Sequence, residues 1–213
     1  TFDHLNNFVN NFKDWVGLPL DKFDADYSAG CTQSFDSFYL RHRHKKFRCY
    51  VGEYFYHLKT WQSNNIDWSF INNKNPLTNG DALVISYPFC DTGDFWNSLV
   101  FEECCQKNIP VLIDMCYYPL TQGCNFNLDY ECIDTVAFSL SKVFPVANYR
   151  IGVRYTRNNI NDGQKLHHSI NYNNMLSAFI GIKLIEKYNV THIHNIYNYK
   201  QKDACEFFNL TQS

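Results

Sequence analysis

Ala82-Leu-Val-Ile-Ser86 and Pro110-Val-Leu-Ile-Asp114 flank a stretch, from Thr92 to about Asn108, whose apolar residues recur at helical spacing. Each short run is apolar at successive positions. Side chains alternate across a strand, so such a run has both faces buried, which is the mark of a parallel sheet rather than a one-sided antiparallel one. Strand, helix and strand in succession make a right-handed βαβ unit. The reading extends outward in both directions. On the N-terminal side, Leu5, Phe8, Val9, Phe12, Trp15 and Val16 give a helix over 4–16, stopped by Gly17 and Pro19. Residues 27–33 form a loop that opens a helix over about 32–46, and 48–56 read as a strand. On the C-terminal side, 118–133 are loop-like, strands follow at 135–139 and 150–155, and a long helix covers about 164–187. The class is therefore α/β: a mostly parallel sheet with helices on both faces, in three α/β/α layers. Residues 1–190 make one large domain, and 191–213 a tail or the remnant of a smaller one.

Composition narrows the function classes. A chain of 213 residues is long enough for a self-sufficient core, burying roughly 70% of its unfolded surface. Its net charge of −2 gives no argument for nucleic acid or an anionic membrane. No apolar run approaches the roughly 20 residues of a membrane span. The N-terminus lacks a basic-then-apolar leader pattern, and the absence of an initiator Met suggests processing or a fragment. The nine cysteines are odd in number and include no CxxC pair. Neither a disulfide framework nor a structural zinc site is expected, and the thiols read as reduced, in a cytoplasmic protein. The sequons at Asn189 and Asn209 are then coincidental. The basic run Arg41-His-Arg-His-Lys-Lys46 is read first as positive charge complementing a helix C-terminus.

In an open α/β sheet, ligands bind beyond the carboxyl ends of the strands, and three features fall there. Ser28-Ala-Gly-Cys-Thr32 is a small-residue turn at a helix N-terminus, suited to an anion, although an ordinary cap by Ser28 or Thr32 is the plainer reading. Asp114 closes a buried strand and needs a cationic partner, either an Arg or Lys of the protein or a bound protonated nitrogen. The third is Ser139-Leu-Ser-Lys142-Val-Phe-Pro-Val-Ala-Asn-Tyr-Arg150. A lysine at a strand mouth can condense with an aldehyde. The flanking Ser139 and the Arg150 fork suit a phosphate dianion.

Together these features resemble the fold type I aminotransferases that use pyridoxal 5'-phosphate (PLP), in the aspartate aminotransferase-like class I/II group. The likeness runs from about Ala29 to Tyr155. Its most specific pieces are 109–117, similar to the family's D-x-x-Y strand end, and 137–152, similar to its S-x-S-K…R-x-G segment. The resemblance implies PLP as cofactor, amino-group transfer between an amino acid and a 2-oxo acid, and a homodimer. It implies Lys142 as the Schiff-base lysine and general base, Asp114 as partner of the pyridinium nitrogen, and Tyr117 at the phenolic oxygen. Ser139, Arg150 and the Gly30-Cys31-Thr32 turn would hold the phosphate. Gly52-Glu-Tyr54 stands where the family places a Pro-x-aromatic, so Tyr54, or else Tyr56, would stack on the ring.

Two departures stand out. Tyr87-Pro-Phe-Cys-Asp-Thr-Gly93 replaces the usual N-P-x-N-P-T-G, putting Cys90 where an Asn donates to the phenolic oxygen; a thiol is a weaker donor. No match appears for the arginine that clamps the substrate carboxylate. The alternatives are therefore a PLP-dependent decarboxylase or lyase built on the same anchors, and a non-catalytic module of the same fold that binds cofactor or a partner. A dinucleotide-binding domain is disfavoured, since no GxGxxG follows a strand.

Overall fold

A computed structural model describes residues 3–121 and 126–210. Seven strands form one sheet in the order β1-β7-β6-β5-β4-β2-β3. They are β1 (Asp24–Ser28), β2 (Lys46–Cys49), β3 (Trp68–Phe70), β4 (Asp81–Ser86), β5 (Val111–Asp114), β6 (Ile133–Ser139) and β7 (Gly152–Thr156). Strands β3, β2, β4, β5 and β6 are successively parallel, while β7 runs antiparallel to both β6 and β1. The architecture is thus the mostly parallel α/β sheet expected from the all-apolar strands.

Alternation along those strands feeds two cores. Leu83, Ile85, Val111, Ile113, Val136 and Phe138 face one side with α1 (His4–Val16), α4 (Ser98–Gln106) and α6 (Met175–Lys187). Ala82, Val84, Leu112 and Ala137 face the other, under Phe35, Phe38 and Tyr39 of α2 (Cys31–Arg41) and Trp61 of α3 (Phe55–Ser63). Burying both faces fixes the register, because a one-residue slip would exchange the two sets. The small residues on the α2 side leave room for that helix's aromatic row.

Several boundaries differ from the sequence expectation, each for a local reason. The strand expected over 48–56 stops at Cys49, because Gly52 takes a positive φ of 99° and turns the chain into α3. The expected 92–108 helix begins only at Ser98, where the Asn97 side chain accepts from the Leu99 N–H. The 164–187 helix is two helices, α5 (Gly163–Ser169) and α6, broken where Asn171 adopts φ 57° and Asn174 caps the second. α2 ends at Arg41 rather than 46. Arg41 does not simply face a helix end: its guanidinium pairs with Asp134 at 2.5 Å, and His42 lies 3.4 Å from the same carboxylate. β1 occupies residues expected to open a loop, and β3 is too short and half-buried to show a pattern. Residues 191–208, which have weak periodicity, form α7 (His192–Phe208), a helix with no buried residue.

A buried ionic network ties β1 and β7 to α2 and α5. Arg154, fully buried, donates to Asp26 at 2.7 Å and to Asp162 at 2.6 Å. Ser37 of α2 accepts from Arg154 at 2.7 Å. Asp162 also caps α5 by accepting from the Lys165 N–H. These ion pairs brace this end of the sheet.

Candidate active site

Register places the site. Ser86 pairs with Asp114 and Asp114 with Ala137, while Ser139 and Ser28 both pair with Gly152. The carboxyl ends of β1, β4, β5 and β6 therefore share one edge with the start of β7. A cavity of about 430 Å³ opens there, lined by Cys31, Thr32, Tyr54, Cys90, Asp114, Tyr117, Ser139, Lys142 and Arg150. Nine of the ten positions singled out in the sequence thus line one space. The tenth, Gly30, lies behind Arg150.

Gly30 and Arg150 form one device. Gly30 has φ 73° and ψ 178°, a backbone region that side chains disfavour. A Cβ there would strike the Arg150 guanidinium. Arg150 itself is held at φ 54°, and its Nη2 donates to Thr32 Oγ1 at 2.9 Å. A fork of positive charge is thereby laid against the N-terminus of α2, whose first N–H groups have no partner within the helix. Ser139 Oγ accepts from the Ser141 N–H at 3.0 Å and donates to Ser141 Oγ at 2.7 Å, so two hydroxyls lie beside this corner.

The cavity also holds a buried carboxylate. Asp114 is 6% exposed and has no ion-pair partner among the described residues. Its Oδ1 accepts from the Cys116 N–H at 2.9 Å. Burial pushes its carboxyl up to about 6, against the pull of that hydrogen bond, the Cys31 thiol and the Lys142 charge. Lys142 Nζ sits 5.5 Å from the Tyr117 ring centroid. Burial lowers the Lys142 ammonium's pKa, but the field of Tyr117 and Cys116 outweighs it, so the net shift is upward.

Tyr54 lines the cavity and caps α3, 39% exposed; Tyr56, its alternative, turns away and donates to Asp36. Cys90 donates its thiol to the Gly52 carbonyl at 3.2 Å, and burial raises that thiol to about 11.

Sequence reasoning passed over several lining residues. Glu53 is 5% exposed and accepts from the Ser86 N–H and hydroxyl, both at 2.8 Å; burial pushes its carboxyl up to about 7. Ser141 and Cys116 also line the cavity. Ser141 and Cys116 lie inside the 137–152 and 109–117 segments, and Glu53 lies between Gly52 and Tyr54, so none carries a signal of its own.

No protein-family model and no curated protein matches the chain. Solved structures do. Histidinol-phosphate aminotransferase from Clostridium acetobutylicum superposes with a TM-score of 0.70 at 13% identity, covering 98% of this chain and 67% of that one. The fold is that of the PLP-dependent aminotransferases. The PLP-bound C-S lyase from Staphylococcus hominis gives 0.72 at 14% identity, covering 98% and 60%. Alanine aminotransferase from Pyrococcus furiosus gives 0.70 at 16%, covering 97% and 60%. The chain thus spans about three fifths to two thirds of the length of these proteins. What it shares with them is the aminotransferase fold, since identities of this size carry no activity across.

The residues present suit PLP by three observations. Asp114 is a buried acid lacking a cation, and a protonated ring nitrogen would supply one. The Arg150–Thr32 corner at the α2 N-terminus suits a phosphate dianion. Lys142 lines the same cavity. Among the described residues no helix is long and apolar enough to cross a membrane, and the eight described cysteines are free thiols; Cys124 lies outside the described residues.

Proposed function

We propose that this cavity binds pyridoxal 5'-phosphate and that the chain is an aminotransferase-like enzyme acting on an amino acid and 2-oxo acid pair. One observation carries the reading: Lys142, the cation-free Asp114 and the Arg150–Thr32 corner line a single cavity. Bound there, PLP supplies an aldehyde and an electron-accepting ring. Thr32, Ser139 and Arg150 grip the phosphate from one side, with the α2 N-terminus behind them, so the reacting carbon is fixed in place. Asp114 would hold a proton on the ring nitrogen. Meeting a cation also returns its own carboxyl to the charged state that burial disfavours. Tyr117 would donate to the phenolic oxygen, and Tyr54, which lines the same cavity, would pack on the ring. Lys142 would be the amine that holds the cofactor's aldehyde and, when free, the base that would move the proton at the substrate Cα.

Cys90 favours a second reading, a module that holds the cofactor without turnover. Its thiol proton is directed at the Gly52 carbonyl and Glu53, leaving the phenolic oxygen to Tyr117. Titration of the purified chain with PLP separates the readings. Wild type should gain a near-visible absorbance band and a borohydride-fixed label on Lys142, both lost in Lys142→Ala. Identical spectra for the two proteins would sink the cofactor proposal. With cofactor bound, amino acids from a mixed panel should bleach the band on transfer. A band that no amino acid changes supports the module.

A further inference from the structure

Cys31, Asp114 and Cys116 are buried, and their sulfur and carboxylate atoms all lie within 4.8 Å of one another. Cys31 is the first residue of α2, and the other two stand at the end of β5, so the trio exists only in the folded chain. We propose that it is a binding site for a thiophilic divalent cation of the zinc class, with its fourth coordination position open to the cavity.

The donor set selects the ion. Two thiolates and one carboxylate suit zinc, cobalt(II) or cadmium and disfavour magnesium and calcium, which take oxygen. Zinc–sulfur bonds of about 2.3 Å and zinc–oxygen bonds of about 2.0 Å put tetrahedral ligand atoms about 3.5–3.8 Å apart. A separation of at most 4.8 Å therefore closes by roughly an ångström of side-chain rotation. The Asp114 carboxylate is already oriented, because Oδ1 accepts from the Cys116 N–H at 2.9 Å. Charge also balances locally: three anionic ligands around a divalent ion leave one negative charge, and the Lys142 ammonium lines the same cavity. The cavity is the entry path and leaves room for a water at the fourth position. Binding is not redox chemistry. Each thiol passes its proton to solvent as its sulfur takes the metal.

Spacing hid this site. The two cysteines are far apart in sequence, whereas metal motifs are recognised by short Cys-x-x-Cys intervals. It shares Asp114 with the proposed cofactor site, so cation and cofactor are alternative occupants of that carboxylate; the probe is metal alone, so failure to bind PLP leaves the inference standing.

The test is titration of the full chain with cobalt(II), kept reduced by a phosphine. One ion per chain should bind, giving thiolate-to-cobalt charge-transfer absorbance and the intense visible bands of tetrahedral cobalt. Cys31→Ser and Cys116→Ser should each weaken binding by more than about a hundredfold, beyond the loss typical of an outer-shell change. Cys105→Ser, a thiol outside the cavity, should leave it unchanged. X-ray absorption of the zinc-loaded wild type needs no variant and should show two sulfurs at about 2.3 Å. Octahedral cobalt spectra, fewer than two sulfur neighbours, or equal losses in Cys105→Ser would overturn the assignment.

Discussion

Two acidic regions of the molecule meet burial in opposite ways. Around Arg154, Asp26 and Asp162 are matched by a guanidinium, and Arg41 and His42 serve Asp134. At Asp162 and Asp134 burial alone would raise the carboxyl, but hydrogen bonds and cationic neighbours reverse it. Asp162 is held far below the usual carboxylate range and Asp134 falls to about 2. Around the cavity, Asp114 and Glu53 are buried with hydrogen bonds but no cation in contact, and burial wins, raising them to about 6 and about 7. Buried acid with its cation is bracing. Buried acid without one stores an unmet demand, and a ligand can supply what the fold has not.

The sharpest way to break this contrast is to remove a cation from the first region and a charge from the second. Arg154→Ala takes the guanidinium from both Asp26 and Asp162, leaving buried Asp26 only the Lys165 ammonium at 3.4 Å, and should destabilise the chain by about 3–5 kcal/mol in urea unfolding. Asp114→Asn is nearly isosteric and removes a charge that burial disfavours. In chelator-treated protein without cofactor its stability should hold or rise slightly, while its affinity for PLP falls. Equal losses in the two variants would erase the distinction.

Next in size is pH. Glu53 has a folded value of about 7 against 4.5 unfolded, so the folded state binds the extra proton. Its contribution is complete below about pH 4.5 and lost as pH rises through about 7, a loss on the order of 2–3 kcal/mol. Asp134 has the opposite sign: its contribution is present above the unfolded value of 3.8 and lost as pH falls through about 2. Urea midpoints measured across this range should fall toward neutrality in wild type and flatten on that limb in Glu53→Gln. An unchanged slope would mean that Glu53 is charged in the fold.

Much of the site was legible because its parts stand at strand ends, and strand ends are what all-apolar runs mark most clearly. Ile113 and Phe138 locate the last apolar positions of β5 and β6, so the polar Asp114 and Ser139 that follow must stand at the edge. The antiparallel β7 was not legible, since Val153 and Tyr155 look alike in either direction; yet that reversal is what brings Arg150 to the same edge. Glu53 was lost for a different reason. It lies in a turn whose direction depends on Gly52, and a turn has no periodicity to say which side chain points inward. The Arg154 network was equally hidden, because its acids come from β1 and from the cap of α5, and only the sheet order makes them neighbours.

A smaller effect sharpens the cavity's anion corner. Gly30→Ala places a Cβ against the Arg150 guanidinium and imposes a side chain on a backbone region nearly restricted to glycine. It should cost about 1–3 kcal/mol of stability. Affinity for PLP should fall further than stability predicts, because Arg150 must leave Thr32; isothermal titration of the variant below its melting temperature reads this directly. Affinity unchanged despite lost stability would remove Arg150 from the anion corner.

The smallest expected effect concerns the departure at Cys90. The thiol donates to the Gly52 carbonyl, and an asparagine amide can keep that bond while offering a second N–H to the cavity. Cys90→Asn should therefore move stability by less than about 1 kcal/mol, as for a half-buried polar exchange that keeps its partner. Its signature lies in the PLP-loaded chain. A second donor beside Tyr117 favours the charged phenolic oxygen, so the pH midpoint of the absorbance band should shift down, and Tyr117→Phe should shift it up by more. If Cys90→Asn leaves the midpoint in place, residue 90 faces Gly52 and Glu53 alone. It then belongs with the braced acids rather than with the cavity.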